Sequence, residues 1–110
     1  MHIFVELWNV KQAWLDLPQE ERGAYVNGVG GAMEELAKAG VECLCWTHVD
    51  NESYPSGYAY LAVWKMPDEG TVELFEKTVE GAGWYNYFEQ VNARGVMDTP
   101  QDVLGHLIGL

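Results

Sequence analysis

A chain of 110 residues with 17 acidic against 6 scattered basic side chains, a formal charge of −11, has the wrong sign to bind a phosphate backbone or an anionic membrane surface. Its length fits one domain. Yet 48% of its residues are apolar, with five Trp, six Tyr and three Phe, so the aromatic surplus has to line a pocket, form an interface or lie exposed. No apolar run approaches the roughly 20 residues that span a bilayer, and no basic segment followed by an apolar one marks a secretory signal. A cytoplasmic protein is the expectation. Cys43 and Cys45, two apart in a probable strand, then read as buried reduced thiols that point the same way.

Residues 2–9 alternate as a strand. Ile3, Val5 and Leu7 make one aliphatic face, and His2, Phe4, Glu6 and Trp8 make a mixed one. After a connection over residues 10–17, Pro18 opens a helix with Glu20 and Glu21 in its first turn, where the helix dipole favours anions. Val26, Val29, Met33 and Leu36 repeat at helical spacing, and Lys38 with Gly40 marks the end near residue 39. Gly28, Gly30 and Gly31 interrupt this helix and together weaken it by about a few kcal/mol. Close approach to a sheet, or room for a ligand, are the two physical reasons to keep them.

A second strand spans residues 41–49, a polar turn-rich connection follows over 50–57, and a third strand takes 58–66. Asp68 is placed to cap a second helix whose buried stripe is Val72, Phe75 and Val79, with Gly81 and Gly83 at its end. Trp84 to Phe88 forms an aromatic cluster in a helical turn, read as core or interface. A fourth strand takes 88–93, and Arg94-Gly95 is read as a turn. The tail from Pro100 carries Val103, Leu104, Leu107, Ile108 and Leu110, and it is expected to dock on the core or on a partner subunit.

The order β-α-β-β-α-β is that of a ferredoxin-like α+β domain with a four-stranded antiparallel sheet. At this length it resembles the dimeric α/β-barrel superfamily, which includes cofactor-free monooxygenases of antibiotic biosynthesis, muconolactone isomerase, plant polyketide cyclases and stress-responsive barrel proteins. The stretches HIFVELW, YAYLAVWKMP and GWYNYFEQVNARG look like those of an uncharacterised bacterial family within it. The resemblance implies a homodimer, two sheets packed face to face with helices outside, and a pocket in each subunit between sheet and helices.

On that architecture the mixed face gathers Glu6 and Trp8, Trp46 and His48, Tyr60 and Trp64, and Gln90 and Asn92, each pair evenly spaced on its strand. A carboxylate, an imidazole and two amides inside an aromatic box are the makeup of a site for a small hydrophobic or aromatic ligand. Glu6 is the sharpest residue, because burial would raise its pKa toward the range of a general base. The bland alternative is a carboxylate bound to a nearby Trp N–H or to the C-terminal tail, with no chemistry. His48 is the best-placed histidine, with a surface position the alternative; His2 and His106 are lesser candidates.

No cofactor fingerprint is present. Gly28-x-Gly30-Gly31 lies inside a helix with no following Lys, so it is not a phosphate loop. The Cys-x-Cys pair lacks the ligand spacing of a zinc site. Two functions lead: a cofactor-independent enzyme of monooxygenase, isomerase or cyclase type that removes a proton from its substrate, or a non-catalytic dimeric ligand-binding or stress-responsive protein; haem or metal binding is a third, minor alternative. In the first, Asn92, Gln90 or Tyr60 would steady the oxyanion.

Overall fold

Alternation along one central strand organises the molecule. The computed structural model describes residues 1–110, beginning with β1 (His2–Val10), α1 (Gln12–Leu15), α2 (Gln19–Lys38) and β2 (Glu42–His48). There follow β3 (Tyr60–Met66), α3 (Glu69–Gly81), α4 (Trp84–Tyr87), β4 (Phe88–Val96) and α5 (Pro100–Ile108). The sheet is antiparallel in the order β2-β3-β1-β4, so β1 is paired on both sides. This is a ferredoxin-like α+β fold.

Register sorts the side chains into rows, since directly opposed residues of an antiparallel pair share a face. On the helix-covered face, His48, Tyr60, Trp8 and Gln90 form one row, and Trp46, Ala62, Glu6 and Asn92 the next. Cys43, Trp64, Phe4 and Arg94 form the third. On the opposite face the rows are Thr47, Leu61, Leu7 and Val91, then Cys45, Val63, Val5 and Ala93, then Glu42, Lys65, Ile3 and Gly95. No helix covers this second face, and its residues on β1 and β3 are half-buried.

The core lies between the first face and α3. Asp68 caps α3 by accepting from the Thr71 N–H at 2.8 Å and from the Thr71 hydroxyl at 2.7 Å. Val72 and Phe75 are fully buried against Phe4 and Met66, and Val79 is partly buried. α2 behaves differently: of its 20 residues only Leu36 is buried. It is held at its ends and flank. Arg22 donates to the carbonyls of Trp14 and Leu15, and the Tyr25 hydroxyl donates to the Ala82 carbonyl at 2.8 Å. Gly40, at φ 103°, turns the chain out of α2 with a Cβ position only 3.2 Å from the Pro67 ring, so glycine is needed there on both counts.

The structure corrects several expectations. Arg94 and Gly95 are strand, not turn: they pair with Phe4 and Ile3, and Arg94 reaches back to Glu69 at 3.2 Å and Glu76 at 2.9 Å. Val26 is 55% exposed, and Tyr25 takes the inward position in its place. Cys43 and Cys45 are exposed, and a bulge between them puts Cys43 opposite Trp64 and Cys45 opposite Val63, on different faces. The tail forms α5, capped by the Thr99 hydroxyl, but none of its residues is buried on this chain. The radius of gyration is 16.0 Å, against about 13 Å for a compact chain of this length, and the extents are 53 × 36 × 19 Å. No helix is long and apolar enough to cross a membrane.

Candidate functional site

The site begins with a small residue beside an acid. Ala62, fully buried, stands opposite Glu6 and leaves room for the indoles of Trp64 and Trp46 beside the carboxylate. Glu6 is only 5% exposed, and both its oxygens are held. The Trp64 indole N–H donates to Oε1 at 2.6 Å, and the Gln90 amide donates to Oε2 at 2.7 Å. Gln90 is fixed in turn: its oxygen accepts from the Trp84 indole N–H at 2.8 Å, and its nitrogen also donates to Asn92 at 2.8 Å. The polarity of this chain is therefore set, with indole donating to amide and amide donating to carboxylate.

Burial pushes the Glu6 carboxyl above the ordinary carboxylate range, while the bonds from Trp64 and Gln90 pull the other way. No cation stands against it. A carboxylate offers about four acceptor positions, and the two protein donors fill two of them. The remaining lone pairs belong to a group that lines a cavity.

That cavity exists because α2 stands off the sheet. A Cβ built at Gly28, Gly30 or Gly31 would meet nothing within 4 Å, so these glycines do not serve close packing within the chain. Between α2, α3 and the sheet lies a recess of about 50 Å³ whose twelve lining residues include Glu6, Trp46, Trp64, Phe75 and Trp84. Ten of the twelve are apolar, Thr78 is the other polar one, and Glu6 alone is ionisable. A wider cleft of about 310 Å³ shares Val29, Met33, Trp46 and Trp84 with the recess and continues to Trp14, Tyr25 and Phe88. Its size lies at the lower end for small-molecule pockets.

Of the eight residues singled out from the sequence, Glu6, Trp46 and Trp64 line these spaces. Trp8 stands behind them, 5.0 Å from Trp46 and 5.7 Å from Trp84, with Tyr60 stacked on it at 5.8 Å. Gln90 is spent on positioning Glu6, and Asn92 is exposed. His48 is exposed beside Tyr60, at 5.5 Å, and lines neither space. His2 lies at the far end of the sheet, 3.8 Å from Glu69, and His106 is exposed on α5. No three His, Cys, Asp or Glu side chains are grouped to hold a metal ion.

The remaining walls come from residues not singled out as site residues. Met33 and Val29 belong to the apolar stripe of α2, and Trp84 to the aromatic cluster assigned to core or interface. Trp14 had no assigned role; it rides on the helical turn α1 and packs on Phe88 at 5.0 Å and Tyr87 at 5.6 Å. Its place among Ala13, Leu15 and Leu17, an apolar cluster in a segment given no element of its own, was the available signal.

Two solved structures share the architecture. A mutant chlorite dismutase from Candidatus Nitrospira defluvii superposes with a TM-score of 0.72 at 16% identity, over 94% of this chain and 43% of that one. The chain thus spans less than half the length of the dismutase chain. A crystallised protein of Arabidopsis thaliana superposes with a TM-score of 0.62 at 12% identity, over 90% of this chain and 97% of that one. Likeness at these identities establishes the fold and not the chemistry. No curated protein matches the sequence. The sequence model of one family matches residues 1–110 throughout, and the chain belongs to that family, the family of unknown function DUF6616.

Proposed function

We propose that the chain works as a homodimer in which each copy binds a flat hydrophobic or aromatic small molecule between α2 and the sheet, and that Glu6 takes a proton from it. The observation that carries this is the isolation of Glu6, a single buried acid in an otherwise un-ionised apolar wall. The body of the ligand would fill the wider cleft against Trp46 and Trp84, with one acidic group reaching into the recess.

The walls provide no cation to hold a developing anion. The substrate must therefore delocalise its own charge, as an enolisable ketone or a phenol does. Its C–H or O–H bond breaks, the proton passes to Glu6, and the electron pair spreads onto the carbonyl or ring oxygen. Return of the proton at another carbon isomerises the substrate, attack on an internal carbonyl cyclises it, and reaction with dioxygen oxygenates it. His48 lies outside the cleft, so the proton step is assigned to Glu6 alone.

A second reading rests on the two hydrogen bonds that already satisfy the Glu6 oxygens. In it the protein only binds its ligand, and the acid is structural. Titration with 1-naphthol and with naphthalene, followed by quenching of tryptophan fluorescence, separates the two. Both probes should bind, and naphthol should have the advantage through its O–H bond to Glu6. That advantage should fall by about tenfold in Glu6→Gln, the difference between a charged and a neutral acceptor. Absence of quenching by either probe defeats the binding reading. An undiminished naphthol preference in Glu6→Gln leaves Glu6 structural.

A further inference from the structure

We infer that α5 is an exchanged arm: it leaves its own subunit and lays its apolar stripe on a second copy of the chain. The inference rests on the homodimer proposed above, with its two copies taken to pair through the uncovered sheet face.

Three observations carry it. First, α5 is a well-formed helix with nothing to hold it. Pro100 opens it, Thr99 caps it, and Val103, Leu104, Leu107 and Ile108 form one stripe at i, i+1, i+4 and i+5, yet they are 50–86% exposed. A stripe of four branched aliphatic residues is not kept in water without a partner. Second, the expanded radius of gyration and the 53 Å long axis describe a thin slab with α5 standing away from the core.

Third, the sheet face alone is too small. Four strands about 4.8 Å apart and seven to nine residues long, at about 3.3 Å each, give a footprint of roughly 500 Å². A stable interface takes about 800 Å² from each partner. A nine-residue helix about 13 Å long and about 10 Å wide adds roughly 130 Å². It adds this twice to each subunit, once as donor of an arm and once as receiver, which closes most of the gap.

Charge identifies the partner as another copy. At −11 the chain repels its own kind everywhere except where acids are missing. The middle rows of the uncovered face, Thr47 to Val91 and Cys45 to Ala93, contain no charged residue, and the stripe on α5 contains none. A basic partner would be drawn to the acidic surfaces instead.

The test is sedimentation velocity of the full chain at about 10 μM, with isotope-filtered NOE spectra of a mixed-label sample. Wild type should sediment as a dimer. L104D/L107D, altered only at exposed positions, should dissociate about 100-fold or more readily. The methyl groups of α5 should show NOEs to the other copy. A variant that sediments as wild type, or α5 methyls with NOEs only within their own chain, overturns the arm. If wild type is monomeric, the arm and the sheet pairing fall together. If V5D/V63D dissociates while L104D/L107D remains dimeric, the arm fails and the sheet pairing stands; if V5D/V63D remains dimeric, the sheet pairing fails and takes the inference with it.

Discussion

Replacing the glycines of α2 by alanine should stabilise the protein, and the size of the effect follows from what surrounds them. Gly28, Gly30 and Gly31 lie inside a 20-residue helix, and a Cβ at any of them enters open space. The steric term is therefore near zero and helix propensity remains, at about 1 kcal/mol for each glycine replaced. Gly28→Ala and Gly31→Ala should each raise the melting temperature by about 4–6 °C in a chain of this size. They share no partner, so the pair should give nearly twice the single effect. Gly30 differs because it lines the wide cleft. Gly30→Ala should stabilise equally but weaken naphthol binding. Urea unfolding followed by tryptophan fluorescence and by circular dichroism measures all three, with an unchanged slope expected. Loss of stability in Gly28→Ala or Gly31→Ala would refute the reasoning: something absent from the single chain would then be pressing on that helix.

The buried acid makes the folded chain hold a proton more tightly than the unfolded chain does. Between the ordinary carboxylate range and the raised value for Glu6, stability should thus fall as pH rises, and level off above it. Glu6→Gln should flatten that segment of the urea midpoint measured from about pH 4 to 8; an unchanged slope would assign the pH dependence elsewhere. Trp64→Phe removes the donor to Oε1 and should destabilise by about 1–3 kcal/mol near neutral pH while widening the same pH window; a loss below ~0.5 kcal/mol would mean that solvent replaces the indole. Pairing through the uncovered face should shield Cys45, which lies in the row of Val63 and Val5, and leave Cys43 open. Iodoacetamide followed by peptide mapping should then mark Cys43 alone, slowly at neutral pH because partial desolvation by its neighbours holds this exposed thiol up. Equal labelling of both would argue against that pairing.

The parts of this fold that could be read from sequence have a fixed period. β1 shows its two faces because side chains alternate strictly, and α3 shows its start because Asp68 lies three residues before the N–H it accepts from. What escaped depends on pairing. The bulge at Leu44 reverses the parity of Cys45 relative to Cys43, and nothing in the run Glu-Cys-Leu-Cys-Trp announces it. β4 continues through Arg94 and Gly95 because Phe4 and Ile3 stand opposite and α3 provides Glu69 and Glu76 for the guanidinium. On α2 the period fits a stripe through Val26 or one through Tyr25. The choice went to Tyr25 because its hydroxyl finds the Ala82 carbonyl while its ring meets Trp14 at 5.8 Å and Tyr87 at 4.9 Å. In the candidate site, the acid and the indoles were legible. Which of the polar groups would be consumed in holding the acid was not, because that depends on side-chain reach across three strands.

The cleft and the uncovered face are consequences of one register. β1 contributes Phe4, Glu6 and Trp8 to one side and Ile3, Val5 and Leu7 to the other, so a slip of one residue would place the acid among aliphatics and a valine beside the indoles. Both alternatives are costly, since a carboxylate without its two N–H donors stays buried unpaired and an acid on the uncovered face repels the same acid on an approaching copy. The nine residue pairs to β4 and seven to β3 hold β1 against that slip, and the one irregularity in the sheet lies on an edge strand, β2, with β3 between it and β1. Tryptophans 8, 46 and 64 sit on these same ladders. A substitution that displaced β1 or β3 from the uncovered face would therefore move the wall of the cleft as well.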